Sequence, residues 1–196
     1  MLIVFSVYFL DLLVARFFNR PELEIVYKVS REITNVGLSG HYFVLSLLAV
    51  VLSRTVFRKL AYFRSRPGLE KRVEEWSLFL LKSLVVIGVV CNIIKFIFGR
   101  QRPHSAENFE NLNFDPFTLN EHWLSFPSGH TQVLFTLGTF FSLLWPKHTL
   151  WFLLLAGLLA FTRVTTFQHF CSDFVAGATL GYLGTLWLYQ LWPPKI

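Results

Sequence analysis

Cysteine, charge and repetitive sequence are all scarce in this chain, and each shortage narrows what it can be. The two cysteines, Cys91 and Cys171, have no metal-ligand spacing and make no disulfide framework. Both read as small apolar packing residues. Charged residues are only 15% of the 196, against 54% hydrophobic, and mean hydropathy is +0.50. A soluble domain of this length is rarely so apolar. No internal repeat or low-complexity segment is present, which argues against a solenoid or a disordered tail. The N-terminus, MLIVFSVYFLDLLVARFF, lacks a basic leader and a small-residue cleavage site. It is therefore expected to remain as a helix and not to be removed as a signal peptide.

What is present comes in long apolar blocks. A bilayer core needs about 20 apolar residues per helix, and six blocks approach that length. They run from about Leu2 to Phe18, Tyr42 to Phe57, Trp76 to Phe98, Ser128 to Trp145, Leu150 to Thr165 and Phe174 to Trp192. The first is the weakest, because Asp11 and Arg16 interrupt it. Trp76, Trp145, Trp151, Trp187 and Trp192 fall near block ends, where aromatic belts sit. The expected fold is all-α: a polytopic membrane helical bundle of about six transmembrane helices, one domain over residues 1–196. The net charge of +6 suits a membrane surface or nucleic acid. No nucleic-acid motif accompanies it, so the lipid bilayer is the expected partner. Nothing in the sequence indicates oligomeric state.

Between the first two blocks lies NRPELEIVYKVSREITNVGLSG. Val26, Val29, Ile33 and Val36 can share one helical face, with Glu24, Lys28, Arg31 and Asn35 opposite. A short interfacial helix and an ordinary surface connection both fit. The connection after the second block carries Arg54, Arg58, Lys59, Arg64, Arg66, Lys71 and Arg72, a density that marks the cytoplasmic side. Alternation then puts both termini in the cytoplasm and the Gly99–Pro127 connection outside. Whatever the sign, the end of block three, the start of block four and the end of block five share one membrane face.

Three polar clusters fall on that face. In KFIFGRQRP, Lys95 and Arg102 are seven residues apart. If the helix continues to Arg102, with Pro103 marking its end, both project from one side and offer donors to phosphate oxygens. Taken alone, this cluster is better explained by snorkelling cations at a span end. In FPSGHTQ, Pro127 suits a helix first turn. Ser128, Gly129 and His130 would then expose N–H groups that favour an anion, or simply form an ordinary capped helix start. In FTRVTTFQHFCSD, His169 and Asp173 are four apart and face each other if the segment is helical, with Arg163 six residues earlier. A structural Asp–His cap is the plainer reading, but charges at membrane depth lean towards function. Together the clusters put three cations, two histidines and a carboxylate where they suit a phosphoryl group.

These stretches resemble the three motifs of the type-2 phosphatidic acid phosphatase superfamily: Lys-x6-Arg-Pro, Pro-Ser-Gly-His and Ser-Arg-x5-His-x3-Asp. All three occur in order with matching spacing over Lys95 to Asp173, with Thr162 where the family usually has Ser. The resemblance implies a lipid phosphate phosphatase of the bacterial membrane branch. His169 is then the nucleophile, Asp173 its orienting carboxylate, and His130 the acid and base. Lys95, Arg102, Ser128, Gly129 and Arg163 bind the phosphate. It implies no metal and no cofactor; a His/His/Asp metal site competes, but the neighbouring Lys and Arg would repel a cation. It allows undecaprenyl pyrophosphate, phosphatidylglycerol phosphate, phosphatidic acid or lipid A phosphate as substrate. The rivals are a lipid phosphotransferase using the same phosphohistidine, a halide peroxidase, and a transporter. Peroxidases on this motif set are mainly soluble, and a transporter calls for charges at mid-depth on both sides. In the Gly99–Pro127 connection, Glu107, Glu110, Asp115 and Glu121 either solvate the loop or repel unsuitable headgroups.

Overall fold

The computed structural model describes residues 2–195; Met1, Ile196 and the side chains of Leu2, Val4, Arg58, Ala61 and Arg64 lie outside it. The two terminal residues, and the side chains of two of the seven cations on which the expected orientation rests, therefore lie outside the described set. The described regular structure is helical. Helix α1 covers residues 2–18, α2 Glu24–Ile33, α3 Ser39–Thr55, α4 Leu69–Phe98, α5 Gly129–Leu144, α6 Thr149–Thr165 and α7 Cys171–Leu191. All but α2 correspond to the six predicted blocks, so the chain is a polytopic membrane helical bundle. Residues 21–55, 69–98 and 146–165 are each long and apolar enough to cross a membrane by themselves.

The edges of the blocks moved for a physical reason. Helix α4 begins at Leu69, two turns before the predicted Trp76. Its first turns carry Glu70, Lys71, Arg72, Glu74 and Glu75, which are good helix formers but poor lipid neighbours. Hydropathy reports where lipid begins, not where the helix does. The other end of α4 is a correction too: it stops at Phe98, before Arg102. Gly99 takes up the left-handed conformation (φ +55°) and its N–H bonds the Lys95 carbonyl. Trp76 does not join an aromatic belt either. It packs in the core with Phe79, Ile87, Phe140 and Leu188, whereas Trp145, Trp151, Trp187 and Trp192 are at least half exposed.

Exposure is inverted relative to a soluble protein. Leu158, Trp151, Leu183 and Val89 point outward, while Thr131, Gln132, Thr136, Thr139 and Thr185 are buried between helices. Buried hydroxyls are satisfied locally: Thr139 donates to the Phe135 carbonyl, Ser142 to Gly138 and Thr185 to Gly181. Small residues let α5 and α7 approach closely. A Cβ at Gly177 would meet the Ser128 carbonyl oxygen at 2.4 Å, and one at Gly181 the Gln132 carbonyl oxygen at 2.4 Å.

Helix α2 forms where the apolar spacing suggested, and two faces emerge. Val29, Ile33 and Val36 are exposed, as lipid-facing residues are, and Ile25 joins them. The docking face is Ser30 and Thr34: Thr165 donates to Ser30 (2.8 Å) and Arg163 to Thr34 (3.3 Å). Val26 belongs nearer this second face and is half-buried. Gly37 then lies so close to His130 that a Cβ would be 2.8 Å from the ring.

Candidate active site

Each polar side chain of the shared face is positioned by a different device. Lys95, in the last turn of α4, is buried and donates to the carbonyl oxygens of Leu124 (2.6 Å) and Ser125 (3.4 Å). Arg102 is not helical. It lies in an extended segment laced to the returning chain: Arg102 N–H donates to His122 O, Gln101 N–H to Asn113 O, and Ser125 N–H to Arg100 O. Gly99 makes this return possible, because a Cβ there would sit 1.7 Å from the Asp115 carbonyl oxygen. Glu107, Glu110, Asp115 and Glu121 in the same connection are exposed, which fits a solvated loop.

Ser128 is the N-cap of α5, so Pro127 precedes the helix and does not open its first turn. The Ser128 hydroxyl is fully buried and accepts from the Thr131 hydroxyl at 2.9 Å. Its backbone N–H is already engaged by the Asp173 carbonyl at 3.0 Å. The N–H groups of Gly129 and His130 belong to a helix first turn, which provides no intrahelical acceptors. Gly129 lies against Lys95, 3.7 Å from its Cε to an ideal Cβ. The His130 ring lines the same cleft as Lys95 and Gly129, and the positive fields of Arg163, Arg102 and Lys95 all reach it.

The stretch from Arg163 to Asp173 is not one helix. Helix α6 ends at Thr165, and Phe167 takes a left-handed turn (φ +56°) that a bulky residue rarely adopts. The turn lets the N–H groups of Gln168 and His169 both bond the Arg163 carbonyl. Helix α7 starts at Cys171, so His169 precedes it, and Asp173 caps it by accepting from the Phe170 N–H at 2.8 Å. His169 Nδ1 stands 3.7 Å from Asp173 Oδ2, beyond hydrogen-bond range. Ser125 fills the gap: its hydroxyl donates to Asp173 Oδ2 at 2.6 Å and lies 3.4 Å from His169 Nδ1. Burial, more than the neighbouring cations, holds the His169 imidazole well below its ordinary range, so the ring is neutral near pH 7. The Thr162 hydroxyl turns to the Leu159 carbonyl of its own helix, away from this cluster.

The eight residues singled out in the sequence are thus drawn to one end of the bundle. Three others that the motifs passed over join them. Ser125 is the first, between His169 and Asp173. Gln168 bridges the arginines, its Oε1 accepting from Arg102 at 2.8 Å and Arg163 at 3.5 Å. Arg100 donates to Asp173 Oδ1 at 2.6 Å and is almost fully buried. Arg100 lies within KFIFGRQRP, but nothing in the spacing of that stretch distinguishes its direction from that of Arg102.

The site has unmet donors. Among the described residues, buried Nε atoms of both Arg102 and Arg163 lack any acceptor, and burial lowers the Arg102 guanidinium from its ordinary value. An unpaired buried donor is costly, and two beside a lysine and a helix N-terminus suit a tetrahedral oxyanion. From Lys95 and His130 a cleft of about 540 Å³ runs between α3, α4 and α5, walled by Phe43, Val44, Leu84, Val85, Gly88 and Val89. Among the described residues no group of three His, Cys, Asp or Glu could hold a metal ion.

Comparison with known proteins gives a consistent picture. The model of the PAP2 superfamily matches residues 76–196. The lipid A 1-phosphatase of Rhizobium etli is 28% identical over 157 residues, 80% of this chain and 67% of that protein. The crystal structure of Aquifex aeolicus LpxE superposes with a TM-score of 0.55 at 21% identity, covering 92% of this chain and 95% of that one. The transmembrane PAP2-type phosphatidylglycerolphosphate phosphatase of Bacillus subtilis gives the same TM-score at 19% identity, covering 97% and 96%.

Proposed function

This chain belongs to the PAP2 superfamily, and we propose that this membrane phosphatase removes phosphate from a lipid headgroup through a phosphohistidine. The observation that carries the reading is the pair of acceptor-less Nε donors on Arg102 and Arg163 beside His169. Those two arginines, Lys95, the Ser128 hydroxyl and the Gly129 N–H would hold the phosphoryl oxygens. Nδ1 of His169 faces Ser125 and Asp173, which leaves Nε2 to attack phosphorus. The N–P bond forms as the bond to the leaving oxygen breaks, and His130 gives that oxygen its proton. His130 then takes a proton from water, which attacks phosphorus, breaks the N–P bond and releases phosphate. Negative charge developing on the phosphoryl oxygens meets donors fixed in advance by folding.

The apolar cleft supplies the place for the lipid tail. Its wall extends from Lys95 back to Leu84 along α4, about 16 Å at 1.5 Å per residue. An acyl or prenyl chain can lie there while its headgroup reaches the cations. Lipid A 1-phosphate heads the candidates because the Rhizobium etli relative is named for that activity. Phosphatidylglycerol phosphate, phosphatidic acid and undecaprenyl pyrophosphate come after it. The basic connection between α3 and α4 supports a site on the outer, periplasmic face of a bacterial inner membrane, with both termini in the cytoplasm.

The test is phosphate release from this panel by purified protein. Wild type should release one phosphate per lipid consumed, which excludes transfer to a second lipid. His169→Ala should abolish release, and Arg102→Ala should lower kcat on the order of 10²-fold. Full activity in His169→Ala would remove the nucleophile and with it the mechanism.

A further inference from the structure

The buried charge that holds the site together comes from helix α1, which lies outside the residues matched by the family model. Asp11 is 1% exposed and Arg100 1%, a depth at which charges persist only when paired and hydrogen-bonded. A π-helical turn at Ser6–Leu10 immediately precedes Asp11; such a turn rotates the residues after it about the helix axis. Asp11 Oδ2 accepts from Arg100 Nη2 at 2.7 Å and from the Ser172 hydroxyl at 2.6 Å, and Oδ1 from the Ser172 N–H at 2.8 Å. Arg100 spends its other donors on Asp173 Oδ1 and the Ser172 hydroxyl (2.6 Å each) and on the Asn111 carbonyl. Its plane lies over the Phe170 ring at 4.5 Å. One guanidinium therefore serves two carboxylates, and only one of them faces the histidine.

We infer that Asp11 is a positioning residue for catalysis, which acts through Arg100 on Asp173. The geometry has two consequences, and both rest on the phosphohistidine reading. Arg100 pins Oδ1 of Asp173, so Oδ2 is the oxygen turned to Ser125 and His169. Asp11 also shares the Arg100 guanidinium with Asp173. With it, the Asp11–Arg100–Asp173 trio has a net charge of −1 beside His169; without it, the trio is neutral. The field that favours a cationic imidazole during N–P bond formation would then weaken. Hydroxyls of Ser125 and Ser172 and the Asn111 carbonyl also line the trio; the further charges that act on Asp173, Lys95 and Arg102, are cations and cannot stand in for a carboxylate.

The test is Asp11→Asn, which keeps the size and removes the charge. It should lower kcat on the order of 10-fold or more, with KM and inhibition by orthovanadate within about threefold, because the phosphate-binding cations are untouched. A merely structural Asp11 would change stability and leave kcat per folded molecule alone. A kcat within twofold of wild type overturns the inference. If the Asn protein does not accumulate, Asp11→Ser takes its place: it also removes the charge, and kcat should again fall, whereas a wild-type kcat overturns the inference. Failure of the underlying reading has a different signature, namely wild type and His169→Ala releasing phosphate at equal rates.

Discussion

Ser125 shows how much of the site depends on a residue that no motif contains. It is fully buried, and its hydroxyl is the link between Asp173 and His169 that a direct bond would otherwise supply. A hydrogen bond to a charged group contributes about 1.5–3 kcal/mol. Ser125→Ala should therefore lower kcat for phosphate release roughly 10- to 100-fold by that conversion, with KM for the lipid little changed. Steady-state assays on the purified protein check this. His169 and Asp173 were marked by their spacing of four, although His169 precedes the helix and the cap that Asp173 makes to Phe170, not helical facing, brings the pair to 3.7 Å. Ser125 was not, because it reaches them across 44 and 48 residues of chain. Arg100 escaped for a related reason. Two arginines two apart look alike in sequence, and only the folded connection sends Arg100 to the carboxylates of Asp11 and Asp173 and Arg102 to Gln168.

Helices decide the spacing of these residues. The α5–α7 contact places Ser128 against Asp173 through a backbone hydrogen bond of 3.0 Å, and Gly177 and Gly181 set how closely those helices meet. Gly181→Leu should push them apart, destabilise the fold by about 1–3 kcal/mol and reduce activity. Thermal unfolding in detergent together with phosphate release checks it. Gly157→Ala is the control, since a Cβ there meets only the Phe135 ring edge at 3.9 Å; it should leave both unchanged. The existence and type of the helices were readable from apolar block length. Their ends were not, because charged turns at Leu69–Glu75 extend α4 into water, while Gly99 cuts it before Arg102.

The whole molecule joins a polar chamber to a lateral apolar cleft. Gly88 lies on the cleft wall, and a Cβ there would meet nothing within 4 Å, so bulk can be added without disturbing the bundle. Gly88→Trp should raise KM for a long-chain lipid phosphate at least about tenfold, a loss of about 1.4 kcal/mol of binding. Hydrolysis of a short, water-soluble phosphate ester should stay within about twofold, because the chamber is intact. Equal losses on both substrates would remove the cleft as the tail site. Orientation is tested at the same scale. Leu119 is 84% exposed on the Gly99–Pro127 connection, and the native Cys91 and Cys171 are buried. Leu119→Cys should be labelled in intact cells by a membrane-impermeant maleimide; labelling only after lysis would reverse the proposed topology.

The sequence alone determined the membrane bundle, the number of its long helices and the face that gathers the polar clusters. Those properties come from composition, block length and alternation, which are local and additive along the chain. It also marked the eight residues that the resemblance carries. Tertiary structure alone decided which of them share a hydrogen bond and which merely stand near each other. It brought Ser125, Gln168, Arg100 and Asp11 to the cluster and opened a tail-sized cleft beside it. The physical reason is that a buried charge must find its partners wherever the fold offers them. Here the partner of Arg100 lies 89 residues away, on a helix whose aspartate looked in sequence only like an interruption.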